Sequence, residues 1–191
     1  MRVTQRFGRA IVLLFATAWA ATAAAAGRST EAAAELVMLM QARNLEAFAA
    51  EDPAAPGHFV AAMLVPDVQL LVVAARPTAP DYLTAQVAAG NYREAYLTLH
   101  GAAVAETKVF FQDMGCDGLS GDEGSVDILY ERAATQTVFD GDWRGQKLSK
   151  AEYEQKLRDA DQRYSRLLAV LTEALRGSAG AGRSGGEPHA N

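Results

Sequence analysis

Between residues 149 and 176 the chain carries the pattern that most restricts its fold. Tyr153, Leu157, Ala160, Tyr164, Leu167, Leu168, Leu171 and Leu175 recur at steps of three and four, the spacing that stacks side chains along one side of an α-helix. Ser149 stands three residues ahead of Glu152, a capping box in which the two residues satisfy backbone donors left open at the helix start. The stripe is expected to end near Arg176-Gly177, where glycine favours a stop. A long helix with one apolar side must bury that side. A sheet of the same chain is the ordinary cover; a partner helix in a homodimer, joined through residues 149–176, is the other.

The remaining periodicities supply the sheet. Residues 29–50 are rich in Ala, Leu, Met and Glu, with Leu36, Leu39, Met40, Ala47 and Phe48 as an apolar face, and predict a helix stopped by Asp52-Pro53 and Pro56-Gly57. FVAAMLV and VQLLVVAA flank Pro66-Asp67, the pattern of two antiparallel strands buried on both faces and joined by a tight turn. Pro77 and Pro80 interrupt the sheet, and a short helix follows, capped at Thr78 or Ala79 and closed at Gly90. In residues 92–101, Tyr96, Thr98 and His100 alternate with Leu97 and Leu99, which predicts a strand after the Gly90-Asn91 stop. KVFFQD (108–113), VDILYE (126–131) and TQTVF (135–139) predict three more strands, the last turning at Asp140-Gly141. The expected architecture is a single α+β domain over residues 27–176, an antiparallel sheet of five or six strands flanked by an N-terminal and a long C-terminal helix. Residues 177–191, of Gly, Ser, Ala and scattered charge, are expected to be a disordered tail.

Ahead of this domain lies the signature of export. Arg2, Arg6 and Arg9 precede an apolar core, IVLLFATAWA, of about ten residues, where a spanning helix needs roughly 20 and a signal peptide about 7–15. Ala24 and Ala26 stand before Gly27 in the spacing of a cleavage site, so residues 1–26 read as a signal peptide and the product as periplasmic or secreted. The alternative is an uncut anchor extended by the Ala run after Trp19. Removing the three leader arginines takes the net charge from −5 to −8. So acidic a chain has no basic stripe for phosphate contacts, which excludes nucleic acid as the expected partner; after cleavage no stable membrane span is expected. Cys116 is the only cysteine; burial, pairing with another chain and reactivity are its three uses in an oxidising compartment, and burial is the expected one.

Chemistry concentrates between residues 113 and 143. Asp113, Asp117, Asp122, Glu123 and Asp127 are interleaved with four glycines, oxygen ligands on a chain that can fold back sharply, as a hard cation requires. Asp113, Asp117 and Gly118 match positions one, five and six of a calcium loop, but Gly115 and Gly124 stand where oxygen ligands belong. A weak calcium site or a solvated connection is the expectation. Asp140 and Asp142 beside Trp143 form a second candidate, a ligand-binding turn in which the indole stacks on a sugar ring, against the commoner use of such a Trp at a core edge. Asp113, Asp117 and Asp127 are also the candidates for paired acid and base groups. His58 and His100 are too isolated for a ligand cluster or a triad. The glycine fingerprint at residues 180–185 lies in the tail, with no strand before it, and is composition alone.

The order of elements resembles that of the flavin-binding split barrels, a similarity that implies a fold analogy; the basic and Ser/Thr residues that hold a flavin phosphate in that family have no counterpart here. The functional expectation is an exported, non-catalytic protein that binds a small molecule or a protein partner. A small carboxylate-dependent hydrolase and a split-barrel-like protein without flavin are the alternatives.

Overall fold

The computed structural model describes residues 29–65, 69–100, 109–120, 127–131, 136–140 and 148–181. The proposed signal peptide, the turn at Pro66-Asp67 and the tail beyond residue 181 lie outside them. The expected α+β domain forms. Helix α1 (29–42) leads into strands β1 (Ala47–Glu51), β2 (Phe59–Val65) and β3 (Gln69–Ala75). Helices α2 (Pro80–Ala88) and α3 (Tyr92–His100) follow, then β4 (Val109–Met114), β5 (Ile128–Glu131), β6 (Gln136–Asp140) and α4 (Lys150–Ala181). All six strands pair antiparallel, in chain order, in one sheet.

Two local rules overturn two expectations. The first helix ends at residue 42, not 50. Asn44 takes a left-handed conformation (φ 54°); its N–H donates to the Gln41 carbonyl at 3.0 Å and the Leu45 N–H to the Met40 carbonyl at 2.9 Å. These are the paired bonds of a Schellman stop, for which asparagine is one of the few tolerated residues. Ala47 and Phe48, assigned to one helical face, instead lie on opposite faces of β1. The second correction is residues 92–100, a helix and not a strand. Gly90 (φ 75°) and Asn91 close α2 by the same pair of bonds, to Val87 and Gln86, and the Asn91 carbonyl then accepts the first bond of α3, from Ala95. The stop is also a start. Ala95, Tyr96 and Leu99 are buried while Leu97 is exposed, a period near 3.6.

Helices cover both sheet faces. Phe48, Val60, Ala62, Leu70, Val72, Phe111 and Leu129 pack with α1 and with the α4 stripe. On the other face Ala47, Ala49 and Ala61 are buried with Leu83, Ala95, Tyr96 and Leu99 of α2 and α3; side chains this small let a helix approach the sheet closely. The capping box forms: Glu152 accepts the Ser149 N–H at 2.9 Å, and Ser149 Oγ accepts the Glu152 N–H at 3.3 Å. All of the stripe is buried in the chain's own core except half-buried Leu157. Helix α4 runs one turn past Gly177, where Ser178 Oγ accepts a hydrogen bond from Arg43 of the α1 stop. Among the described residues no helix is long and apolar enough to cross a membrane.

Candidate functional site

The acidic stretch is built around two carboxylates that the sheet turns inward. Asp113 is the fifth residue of β4 and fully buried; Asp127 immediately precedes β5 and is nearly so. Gly115, Cys116 and Gly118 all have positive φ, which wraps the chain tightly around Asp113. Its Oδ1 accepts the Asp117 N–H at 3.2 Å, and its Oδ2 accepts the Gly118 N–H and the Tyr164 hydroxyl, each at 3.0 Å. Asp127 accepts the Met114 N–H at 2.8 Å on one oxygen and the Ser120 N–H at 2.7 Å on the other. The loop also holds the start of α1. The Leu119 N–H donates to Ser29 Oγ at 2.9 Å, the Ser29 N–H donates to Asp161 of α4 at 3.3 Å, and a Cβ on Gly118 would sit 2.4 Å from the Thr30 nitrogen.

Burial pushes the Asp113 carboxyl up to about 6, against the hydrogen bonds from Tyr164 and Gly118 and with a smaller push from the Asp127 charge. The Tyr164 phenol is raised well above its ordinary value, by burial first and by the Asp113 charge second. The carboxylates of Asp113 and Asp127 therefore serve as acceptors for their own loop. Three of the acceptor sites of Asp113 and two of those of Asp127 are thus engaged by loop amides and a phenol. Among the described residues no group of three or more His, Cys, Asp or Glu side chains could hold a metal ion. Asp117 is exposed, and Cys116 is half-buried against the core. Asp122 and Glu123 lie outside the described residues, as do Asp142 and Trp143; Asp140 ends β6, paired with Ile128.

A cleft opens toward the other end of β4, and sequence reasoning passed over it. It has a volume of about 260 Å³ and lies between the start of β2, the end of β3, the start of β4 and the middle of α4. Val60, Ala74, Val109, Phe111 and Leu167 make an apolar lining, while Asp52, His58, Arg163 and Arg166 supply the polar groups. The β1–β2 connection sets the polar side. The Asp52 N–H donates to the His58 carbonyl at 2.8 Å, Glu51 accepts the Gly57 N–H at 2.8 Å, and Gly57 takes a positive φ. Asp52 is buried; one of its oxygens accepts the Ala54 N–H at 3.0 Å and the other accepts from Arg166. Phe111 stacks on Tyr164 with ring centroids 4.8 Å apart, so one aromatic pair separates the cleft from the loop.

Asp52 reads in the sequence as a helix stop and His58 as an isolated histidine. Arg163 and Arg166 carry one weak signal: three residues apart, beside Tyr164 and Leu167, they sit on the shoulder of the α4 stripe. No protein-family model, curated protein or solved structure matches this chain.

Proposed function

We propose that the chain is an exported, non-catalytic binding protein whose ligand is a small molecule seated in the cleft between β2–β4 and α4. One observation carries the reading: an apolar hollow of about 260 Å³ onto which four side chains able to form ion pairs or hydrogen bonds converge. Apolar lining with a few placed polar groups is the common composition of small-molecule sites, and this volume lies just below their usual range of about 300–1,000 Å³, which suits a small ligand. The acidic loop supports a different role. Its buried carboxylates are engaged by loop amides, the arrangement of a brace that fixes the β4–β5 end of the sheet to α1 and α4. Export rests on the arginine-led apolar leader and the Ala24/Ala26 spacing.

Two measurements test the reading. Methyl and amide NMR spectra recorded against a library of fragments of about ten non-hydrogen atoms should show shifts at Val60, Ala74, Val109 and Leu167; folded protein whose cleft signals stay still against the whole library would sink it. For export, the intact mass of protein recovered outside the cytoplasm should correspond to a chain starting at Gly27. A cytosolic product retaining Met1 would remove that half.

A further inference from the structure

Each polar side chain on the cleft's lining is already engaged within the protein. Asp52 accepts from the Ala54 N–H and from Arg166, which is thereby tied to it, and His58 and Arg163 have partners of their own. The backbone of the β1–β2 connection is paired as well: the Asp52 N–H donates to the His58 carbonyl at 2.8 Å, and the His58 N–H to the Ala55 carbonyl at 2.9 Å. A charge or hydroxyl carried inward would give up its water and compete with contacts already made. What the hollow offers a ligand is hydrocarbon. Val60, Ala74 and Val109 stand abreast on β2, β3 and β4 with the smallest side chain in the middle of the row, and Phe111 and Leu167 extend the apolar lining. Water beside such side chains finds few partners, so an apolar body displaces it at a gain. The volume sets the size. A cavity of about 150 Å³ holds a benzene ring, so about 260 Å³ takes roughly ten non-hydrogen atoms.

We propose that the cleft binds uncharged, hydrocarbon-rich molecules of roughly ten non-hydrogen atoms, selected by the volume and apolarity of the hollow and not by a polar contact inside it. This rests on the cleft being a ligand site. A single hydroxyl on such a ligand stays at the mouth, in water, while the body lies against Val60, Ala74, Phe111 and Leu167.

The test is titration of the full folded chain with the straight 1-alkanols from 1-pentanol to 1-dodecanol, followed by methyl NMR at Val60, Val109 and Leu167. Affinity is expected to rise roughly three- to fourfold with each added methylene, the worth of burying one, and to level off near 1-nonanol, where the hollow is full. 1,8-Octanediol has the size of 1-nonanol but ends inward in a hydroxyl, and should bind at least about tenfold more weakly. Ala74→Leu, which fills the hollow, should abolish binding of the whole series; Ala55→Leu at the rim serves if that variant does not fold. Equal affinities for 1-nonanol and 1,8-octanediol, both lost on filling the cleft, would overturn the apolar selection and keep the binding site. A rise that continues unbroken to 1-dodecanol would overturn the size limit and with it the assigned class. If no alkanol binds, or filling the cleft changes nothing, the site itself is refuted.

Discussion

Asp113 makes the stability of this protein respond to pH in the direction opposite to most carboxylates. Its carboxyl is raised from the ordinary 3.8 to about 6, chiefly by burial. The native state therefore takes up the proton before the unfolded chain does. Stability contributed by this group is absent above pH 6, grows as pH falls from 6 to 3.8, and is constant below that. The whole shift corresponds to about 3 kcal/mol, and the portion recovered between pH 7 and pH 5 to about 1.3 kcal/mol. For a domain of about 150 residues that is a rise in Tm of roughly 3–5 °C. The window from pH 7 to 5 avoids the range near pH 4 where ordinary carboxylates titrate in the unfolded chain.

Thermal unfolding followed by circular dichroism in matched buffers at pH 7, 6 and 5 reads the effect directly. Asp113→Asn is the reference, since its side chain stays neutral throughout. The amide loses one acceptor where the Gly118 N–H donates, so the variant melts lower at every pH, but its profile should be flat where the wild type rises. Parallel profiles for the two proteins would refute the assignment. So would a wild-type Tm that falls on going from pH 7 to 5 by the same amount as the variant's.

Three further substitutions follow from the same geometry. Tyr164→Phe removes a donor to a buried carboxylate and should cost about 1.5–3 kcal/mol at pH 7 in urea unfolding, less at pH 5 where Asp113 takes its proton; an equal loss at both pH values would contradict the charged bond. Gly118→Ala meets a positive φ and the backbone of Thr30 and Ser29 at under 3 Å, so a loss of about 3 kcal/mol or more is expected, and a neutral result would mean that α1 does not rest on the loop. Thr172 is buried with its Oγ1 unpartnered among the described residues; Thr172→Val keeps the shape and should stabilise by about 1 kcal/mol, which a lower urea midpoint would deny.

Long-period signals were legible and short-range stop chemistry was not. The α4 stripe, its Ser149–Glu152 cap and the β2–β3 hairpin can be read from spacing because apolar residues at a fixed interval have one way to be buried. Residues 47–50 mislead, since Ala and Phe suit a helix and lie on a strand only because the sheet's β2 edge pairs with them. The one local signal against a helix there is Asn44, a left-handed stop of one residue. Gly90-Asn91 reads as a stop, and the alternation after it masks the helical spacing of Ala95, Tyr96 and Leu99. The candidate site fared differently. Asp113 and Asp127 stand in the sequence among Asp117, Asp122 and Glu123 with nothing to set them apart, because their role turns on which way the oxygens face, and composition carries no direction. The cleft is not legible in the sequence because its polar residues come from two distant segments, with Asp52 and Arg166 114 positions apart.

Helix α4 explains why loop and cleft occur in one small domain. Residues 161 and 164 meet the loop and the start of α1, while 163, 166 and 167 reach the cleft; both sets belong to two successive turns. An apolar stripe fixes how deep such a helix lies but leaves it free to slide or roll by small amounts along the sheet. A directional bond at one point removes that freedom, and the Tyr164 hydroxyl on Asp113 is such a bond, with the Phe111 stack beneath it. The guanidiniums of Arg163 and Arg166 then project from a helix whose rotation is set. Ionised Asp113 is costly to bury, and that cost is offset by an anchor that points the cleft's cations in a defined direction. On this account the brace is structural in its chemistry and reaches as far as the cleft: loosening it would change the cleft's shape without substituting any residue that lines it.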